Sequence, residues 1–463
     1  VGVALIAVAI VFQIVAGADV PEFCREELKR KLVTPDQAAA EVKSGDWLEY
    51  GFGLGQPDLF DRALAARVPS LSGLKLRASL ALRPCAAVEA DPHGRHLNYL
   101  SWYFSGIERK LHDRGLCHHI PMNFGETPDY YRRFCHVDVA VLKTTPMDEN
   151  GFFNFGPSVS YHKAITEKAR TLFVETNASM PYVHGVDTGV HISEVAGVID
   201  GGEGTLPELK NAPACDIDLK VAEHIVPEIC DGACIQIGIG GMANTVCEML
   251  TSAPVKDLGV HTEMFVDSLV SLYCAGKVTG AHKRTDRFKM TYTFAAGSAS
   301  MYRFLDRNPD CVAKPVDVTN LPHNIMQNDH VVSICNAAMI DLTGQVCSES
   351  AGIRHISGTG GQLQFVRGAY ASRGGKSFVC FASTHEQNGR RASRIVSDLG
   401  PFNIVSTPRT DVMYVVTEYG MVNLKGKSVS ERARALISIA HPDYREDLER
   451  KAREYRLIPR CIF

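Results

Sequence analysis

Cys234-Ile235-Gln236-Ile237-Gly238-Ile239-Gly240-Gly241-Met242 is the stretch on which the fold turns. Four residues of strand character run into a glycine-rich loop, and the next segment places Val246, Met249 and Leu250 at helical spacing. Upstream, Lys220 to Ile229 is helical in pattern and Asp231-Gly232 breaks it. Helix, glycine turn, strand, glycine loop, helix is the grammar of an α/β protein. The loop could hold an anion as dinucleotide folds do, although Ala243 stands where G-x-G-x-x-G ends and no second-strand acid follows at about 20 residues except Glu263. A tight turn that lets helix and strand pack closely explains the same residues.

The layout occurs twice. Thr34-Pro35-Asp36-Gln37 is a capping box with proline at the first helical position, followed by Ala38-Ala39-Ala40 and closed by Gly45. Trp47-Leu48-Glu49-Tyr50 then reads as a strand entering Gly51-Phe52-Gly53-Leu54-Gly55. Laying Ser44-Gly45-Asp46 over Asp231-Gly232-Ala233 brings Gly51 onto Gly238 and Gly53 onto Gly240. One such unit per half predicts two tandem, related α/β domains with mixed or parallel sheets. Length agrees, since 463 residues exceed one ordinary core. Asp200-Gly201-Gly202-Glu203-Gly204 through Pro213 has linker composition. The expected organisation is an apolar N-terminal extension over 1–25, a first domain over 26–213 and a second over 214–463.

Composition narrows the function classes. With 45% hydrophobic residues, 22% charged and a net charge of −3, the chain reads as soluble and globular, with nothing that favours nucleic acid or an anionic membrane. Arg390-Arg391 reads as a solvated loop rather than a polyanion site. The 14 cysteines are scattered without a C-x-x-C pair, Cys230 and Cys234 being the closest, so a reducing cytoplasm and no metal are expected. Val1 to Gly17 is apolar and uncharged but marginal in length for a span, and no basic segment precedes it. No membrane role is expected of it.

Two further stretches carry chemistry. Leu258-Gly259-Val260-His261 is an apolar strand, and Glu263 follows it at a strand-to-helix corner, where active-site residues of α/β sheets sit. A helix bearing Phe265, Leu269, Val270 and Leu272 is expected next, ending at Ala275-Gly276, so that its positive end favours an ionised, nucleophilic Glu263. A helix-capping glutamate is the plain alternative. Ser357-Gly358-Thr359-Gly360-Gly361-Gln362 spends folding entropy on three glycines in four positions. It either converges backbone N–H groups on an oxyanion or phosphate, or is a flexible hairpin. Asn320 and Glu418 each end an apolar run and are polar groups of a site or of a turn. Tyr161, His162 and Lys163 face an acid pocket or the surface.

Taken in order, these segments resemble the acetyl-CoA hydrolase/transferase family of CoA-transferases, most of all its butyryl-CoA:acetate and 4-hydroxybutyrate branch. The resemblance is carried by Thr145-Pro146-Met147-Asp148, Ile237 to Met242, His261-Thr262-Glu263-Met264 and Asp341-Leu342-Thr343-Gly344-Gln345-Val346. It continues in Ser357 to Gln362, Ser393-Arg394-Ile395-Val396, Val416-Thr417-Glu418-Tyr419-Gly420 and Ala440-His441-Pro442-Asp443. It implies an active site at the cleft between the domains, with Glu263 of the second domain as the nucleophile that becomes a glutamyl-CoA thioester. It further implies that Gly238, Ile239, Gly240, Gly241, Met242, Ala338 and Gly361 contact CoA, and that Asn320 and Glu418 belong to the reacting centre. Asn388 stands where relatives often carry a CoA-binding lysine, a loss that Arg390 or Arg391 could make good. The implied activity is transfer of CoA between a short-chain acyl-CoA and a carboxylate by a homo-oligomeric cytoplasmic enzyme. CoA and acyl-CoA enter as substrates, with no tightly bound cofactor. An acyl-CoA hydrolase differs only in letting water reach the intermediate, and a non-catalytic ligand sensor on the same scaffold is a reading from another class.

Overall fold

The structure is a computed structural model and describes residues 20–209, 213–238, 240–387 and 389–459. Val1 to Gly17 and the expected CoA contacts Ile239 and Asn388 lie outside the described residues. The chain divides into two compact units, one taking in Val1–Leu209 and Tyr292–Val318, the other Lys210–Thr291 and Thr319–Phe463. Tyr292–Val318 groups with the first unit although it falls inside 214–463. Backbone pairing draws it there: Ser160 N–H donates to the Thr293 carbonyl, Ala313 N–H to His184 and Val316 N–H to Ser160. Such long-range pairing leaves no local signature.

In the first unit Thr34 caps the helix Pro35–Ala40 through the reciprocal bonds with Gln37 that the capping box predicts. Strands β1 (Trp47–Phe52), β2 (Leu74–Ser79), β3 (Leu97–Ser101), β4 (Cys117–His119), β5 (Val137–Thr144), β6 (Ala169–Thr176) and β7 (Gly197–Ile199) form one sheet. Its seven strands run in the order β4-β3-β2-β1-β5-β6-β7, with every pair parallel. A parallel sheet buries both faces, and β1 accordingly is buried from Leu48 onward, Glu49 included. Leu48, Tyr50, Phe60, Leu64, Leu76, Val139 and Phe173 meet in its core.

The second unit builds β8 (Cys234–Ile237), β9 (Gly259–His261), β10 (Met290–Tyr292), β11 (Val331–Asn336), β12 (Lys376–Cys380), β13 (Tyr414–Thr417) and β14 (Gly420–Asn423). They lie in the order β10-β9-β8-β11-β12-β13-β14, parallel except for the antiparallel hairpin β13–β14. Ile340, Val379, Phe381, Val415, Leu424 and Leu436 form its core. The order β10-β9-β8-β11-β12-β13 repeats β3-β2-β1-β5-β6-β7 strand for strand. The duplication first visible in Gly51/Gly238 and Gly53/Gly240 thus extends to whole sheets. In the first sheet β1 lies between β2 and β5, and in the second β8 lies between β9 and β11, so in both the chain changes winding direction beside the glycine loop. Ligands of open α/β sheets bind at that switch point, beyond the carboxyl ends of the strands.

Candidate active site

At the carboxyl edge of the second sheet the register levels several loops with one another. Val260 on β9 pairs with Ile235 on β8, and Ile237 pairs with Ile334 on β11. Glu263, two residues beyond β9, therefore emerges level with Gly238 and the end of β11. Its charge reaches Cys335 there, whose thiol burial pushes up to about 12 with a further contribution from Glu263.

Two groups meet on the Glu263 carboxylate. Asn320, the last residue of the short helix Val316–Asn320, donates from Nδ2 to Oε2 at 2.5 Å. The Thr319 hydroxyl donates to Asn320 Oδ1 at 2.9 Å, which fixes the amide so that Nδ2 faces the carboxylate. The Thr319 carbonyl is in turn bonded to Nε2 of buried His261 at 2.8 Å. From the other side the Gly361 N–H donates to the carboxylate. Glycine is required at 361 for close approach rather than for its dihedrals, since φ is −99°. A Cβ there would stand 3.2 Å from Glu263 Cδ and closer still to Oε2 and to Asn320 Nδ2.

The loop that presents Gly361 is anchored at several points. Thr359 Oγ1 donates to the buried Glu349 at 3.1 Å, Ser357 Oγ to the Ser348 carbonyl at 2.8 Å, and Ile356 N–H to the Glu349 carbonyl at 2.8 Å. A flexible hairpin does not describe it. Gly361 is also the residue before the helix Gln362–Ala371. The positive helix end beside Glu263 is thus that of Gln362–Ala371. The helix after Glu263 starts only at Asp267, and Met264–Phe265 is an extended pair, so Phe265 is not helical and Glu263 is not its cap.

The expected bias of Glu263 toward its ionised form does not hold. Burial raises its pKa from 4.5 to about 7, against the lowering effect of Asn320 and Gly361. The residue keeps part of its surface, but two hydrogen bonds do not replace the hydration a carboxylate loses.

The other expected residues line up along the same edge. Gly238, Gly240, Gly241 and Met242 lead from β8 into the helix Gly241–Ser252. Gly240 adopts φ +125°, and a Cβ there would fall 2.6 Å from Asn336 Nδ2. Ala338 follows β11, its N–H bonded to the Cys347 carbonyl. Glu418 follows β13, four strand positions from β9, or about 19 Å between strand axes at ~4.8 Å each. Both of its oxygens are taken by Ser383, from N–H at 2.9 Å and Oγ at 2.6 Å. Glu263 and Asn320, expected at the reacting centre, and Gly361, expected to contact CoA, are in mutual contact, while Glu418 is held by Ser383. Arg391 is bonded to Asp443, and Arg390 is exposed on the strand Arg390–Ser393.

The pair Tyr161 and His162 is not at the surface. Tyr161 is buried against Trp102 and Tyr131, and His162 is buried with Nε2 accepting the Phe52 N–H at 3.1 Å. Burial pushes the His162 pKa down to about 3. Lys163 pairs with Glu194 at 3.5 Å. Asp341 has a structural explanation: Oδ1 receives the N–H groups of Thr343, Gly344 and Gln345 and closes the turn. Sequence reasoning assigned no role to Thr319, Glu349, Ser383 or Arg394. Of these, only Arg394 stood in a stretch that carries the family resemblance. Among the described residues no helix is long and apolar enough to cross a membrane, and no cluster of three metal-ligating side chains occurs.

Residues 19–208 match the acetyl-CoA hydrolase/transferase N-terminal domain and residues 297–452 the C-terminal domain. The chain is similar to a butyryl-CoA:acetate CoA-transferase from Anaerostipes caccae, 46% identical over 94% of this chain and 98% of that protein. A 4-hydroxybutyrate coenzyme A transferase from Clostridium kluyveri is 35% identical over 91% of this chain and 97% of its own. The crystal structure of RipA from Yersinia pestis superposes with a TM-score of 0.88 at 36% identity, covering 94% of this chain and all 100% of RipA. Two domain matches spanning most of the chain, and relatives this similar along nearly their whole length, make the protein a member of the acetyl-CoA hydrolase/transferase family.

Proposed function

We propose that the protein transfers CoA between a short-chain acyl-CoA and a carboxylate, with butyryl-CoA and acetate as the pair to test first, through a glutamyl-CoA thioester on Glu263. The observation that carries this reading is one carboxylate, held by an amide on Oε2 and by a backbone N–H, at the switch point of a parallel sheet.

The positions of the donors divide the labour between the oxygens. Oε1, free of the Asn320 bond, attacks the thioester carbonyl; the C–S bond breaks, CoA leaves as thiolate, and a mixed anhydride forms. The thiolate then adds to the glutamyl carbon. Negative charge develops on Oε2, where Asn320 Nδ2 already lies at 2.5 Å, beside the Gly361 N–H that also bonds the carboxylate. Collapse breaks the anhydride C–O bond, frees the first acid as its carboxylate and leaves the glutamyl-CoA thioester. The acceptor carboxylate repeats the steps in reverse. A donor pair fixed before reaction costs no reorganisation as charge appears, and one such donor is worth about 3 kcal/mol in acyl-transfer enzymes. Ping-pong kinetics follow.

With a pKa of about 7, Glu263 is roughly half ionised at neutrality. It is a better nucleophile when charged than an ordinary carboxylate, because basicity and nucleophilicity rise together. A cytoplasmic homo-oligomer that takes CoA as substrate, with no tightly bound cofactor, is the setting this reading entails.

The test is release of CoA from butyryl-CoA with and without acetate, together with intact-mass detection of the CoA adduct. The expected result is acetate-dependent exchange and an adduct on Glu263, both abolished by Glu263→Gln. CoA release indifferent to acetate would mean a hydrolase. Full activity in Glu263→Gln would remove the nucleophile, and CoA binding without turnover or adduct would mean a sensor.

A further inference from the structure

Arg394 is a half-buried cation without an adequate partner. It lies between the hairpin Thr384–Gln387/Arg390–Ser393 and the short strand Ile395–Val396, which pairs with Met339–Asp341. Its backbone is well tied, N–H to the Ser383 carbonyl at 2.8 Å and carbonyl to the Ile340 N–H at 2.9 Å. Its guanidinium is not. Nε is buried with no hydrogen-bond partner, and the side chain's one hydrogen bond among the described residues runs from Nη1 to the Ala337 carbonyl at 3.3 Å.

The neighbouring groups do not complete it. Glu418 is near enough to act on Arg394 electrostatically, yet Ser383 already holds both of its oxygens. On the hairpin side stands His385, whose buried Nδ1 is likewise unpartnered. Burial lowers the pKa of both Arg394 and His385. A desolvated guanidinium with open N–H groups is costly unless something accepts from it. Its planar fork favours oxygen acceptors of a carboxylate, phosphate or amide.

Place in the fold decides which substrate supplies the oxygen. The Arg394 head rests on Ala337, at the carboxyl end of β11, two strand positions from β9 and so about 10 Å from the strand that precedes Glu263. A group there is too far from Glu263 to touch the carbonyl under attack. It is within reach of the long arm of the same thioester. We infer that Arg394 is a CoA-recognition residue: its guanidinium donates to an oxygen of the CoA moiety beyond the cysteamine end, next to Ala337 and Ala338, and takes no part in binding the acid. The inference rests on the CoA-transfer reading above.

The experiment compares the full-length wild type with Arg394→Gln and Arg394→Lys. It reads CoA affinity by calorimetry, and KM for butyryl-CoA, for butyryl-N-acetylcysteamine (the same thioester without the rest of CoA) and for acetate. Loss of one charged hydrogen-bonding group should weaken CoA binding and raise KM for butyryl-CoA roughly ten- to hundred-fold in Arg394→Gln. Arg394→Lys, which keeps the charge and loses the fork, should fall between. KM for acetate and turnover of the truncated thioester should stay within about two-fold, a pattern that a general structural defect would not give. Unchanged CoA affinity in either folded variant overturns the inference, as does a rise in KM for acetate. If the wild type binds CoA but transfers none, the activity reading fails while the calorimetric comparison still decides the role of Arg394.

Discussion

Replacing Gly361 with alanine isolates the geometry of the nucleophile from everything else. At φ −99° alanine is as comfortable as glycine, so the backbone has no reason to move. The added methyl, however, would stand 3.2 Å from Glu263 Cδ, closer still to Oε2 and Asn320 Nδ2, inside a distance that real Cβ atoms essentially never show. Something must yield. The loop is held by Thr359 to Glu349 and by Ser357 to Ser348, so the Glu263 carboxylate and the Asn320 amide are what shift. That breaks the 2.5 Å bond between them and lengthens the one from the 361 N–H. Losing one preorganised donor costs about 3 kcal/mol, or roughly a hundred- to thousand-fold in kcat, whereas overpacking costs only about 1–3 kcal/mol of stability. The assay is steady-state butyryl-CoA:acetate exchange, with thermal melting to confirm folding and intact mass to follow the adduct. Gly276→Ala is the control: φ is +69° and no atom lies within 4 Å of the new methyl, so it should lose about 1–2 kcal/mol of stability and no activity. A Gly361→Ala enzyme within three-fold of wild-type kcat would refute the assignment of the oxyanion donors.

Three more outcomes are expected. In the proposed mechanism the ionised form of Glu263 attacks, and with its pKa raised to about 7, kcat/KM should climb with pH and reach half its plateau near 7; a flat profile from pH 5 to 8 would mean an ordinary carboxylate. The same shift works against stability: a folded pKa above the unfolded 4.5 leaves folding unpenalised below pH 4.5 and costs progressively more as pH rises to about 7. At 1.36 kcal/mol per unit the full cost is about 3 kcal/mol, reduced because the residue keeps some exposure, so inactive Glu263→Gln should unfold at higher denaturant than wild type at pH 8 and not at pH 4. In the first unit, Glu49→Ala would strand the buried Arg77, which donates from Nε at 3.0 Å, and should destabilise by about 3–5 kcal/mol in chemical denaturation; a loss under 1 kcal/mol would show that the pair is dispensable.

Strand, glycine loop and helix were legible because each is written locally: apolar runs, capping residues and glycines at set offsets name the element they build. The glycines at 238 and 240 even announced the twin sheets, since the same offsets recur at 51 and 53. Glu263 was legible as a carboxylate beyond a strand. Its electrostatics were not, because the helix end that faces it begins at Gln362, about a hundred residues away, and because burial outweighs hydrogen bonding there. Phe265 looked helical by spacing alone, while the chain stays extended until Asp267. His162 and Tyr161 read as pocket or surface because polar side chains usually are; only tertiary packing reveals that both are core. The unsatisfied Nε of Arg394 is likewise a property of what surrounds it, which no spacing encodes.

The imidazole wedged beneath the first glycine loop sets that loop apart from its counterpart at 238–242. His162 already occupies the Phe52 amide, the position that aligns with Ile239 in the other half, and it does so as a neutral ring sealed from water. An anion could reach the Phe52 N–H only by displacing that ring from a packed interior. The crevice beside the first glycine loop is thus stoppered by a side chain of its own unit, and an anion site there would need a different residue at 162.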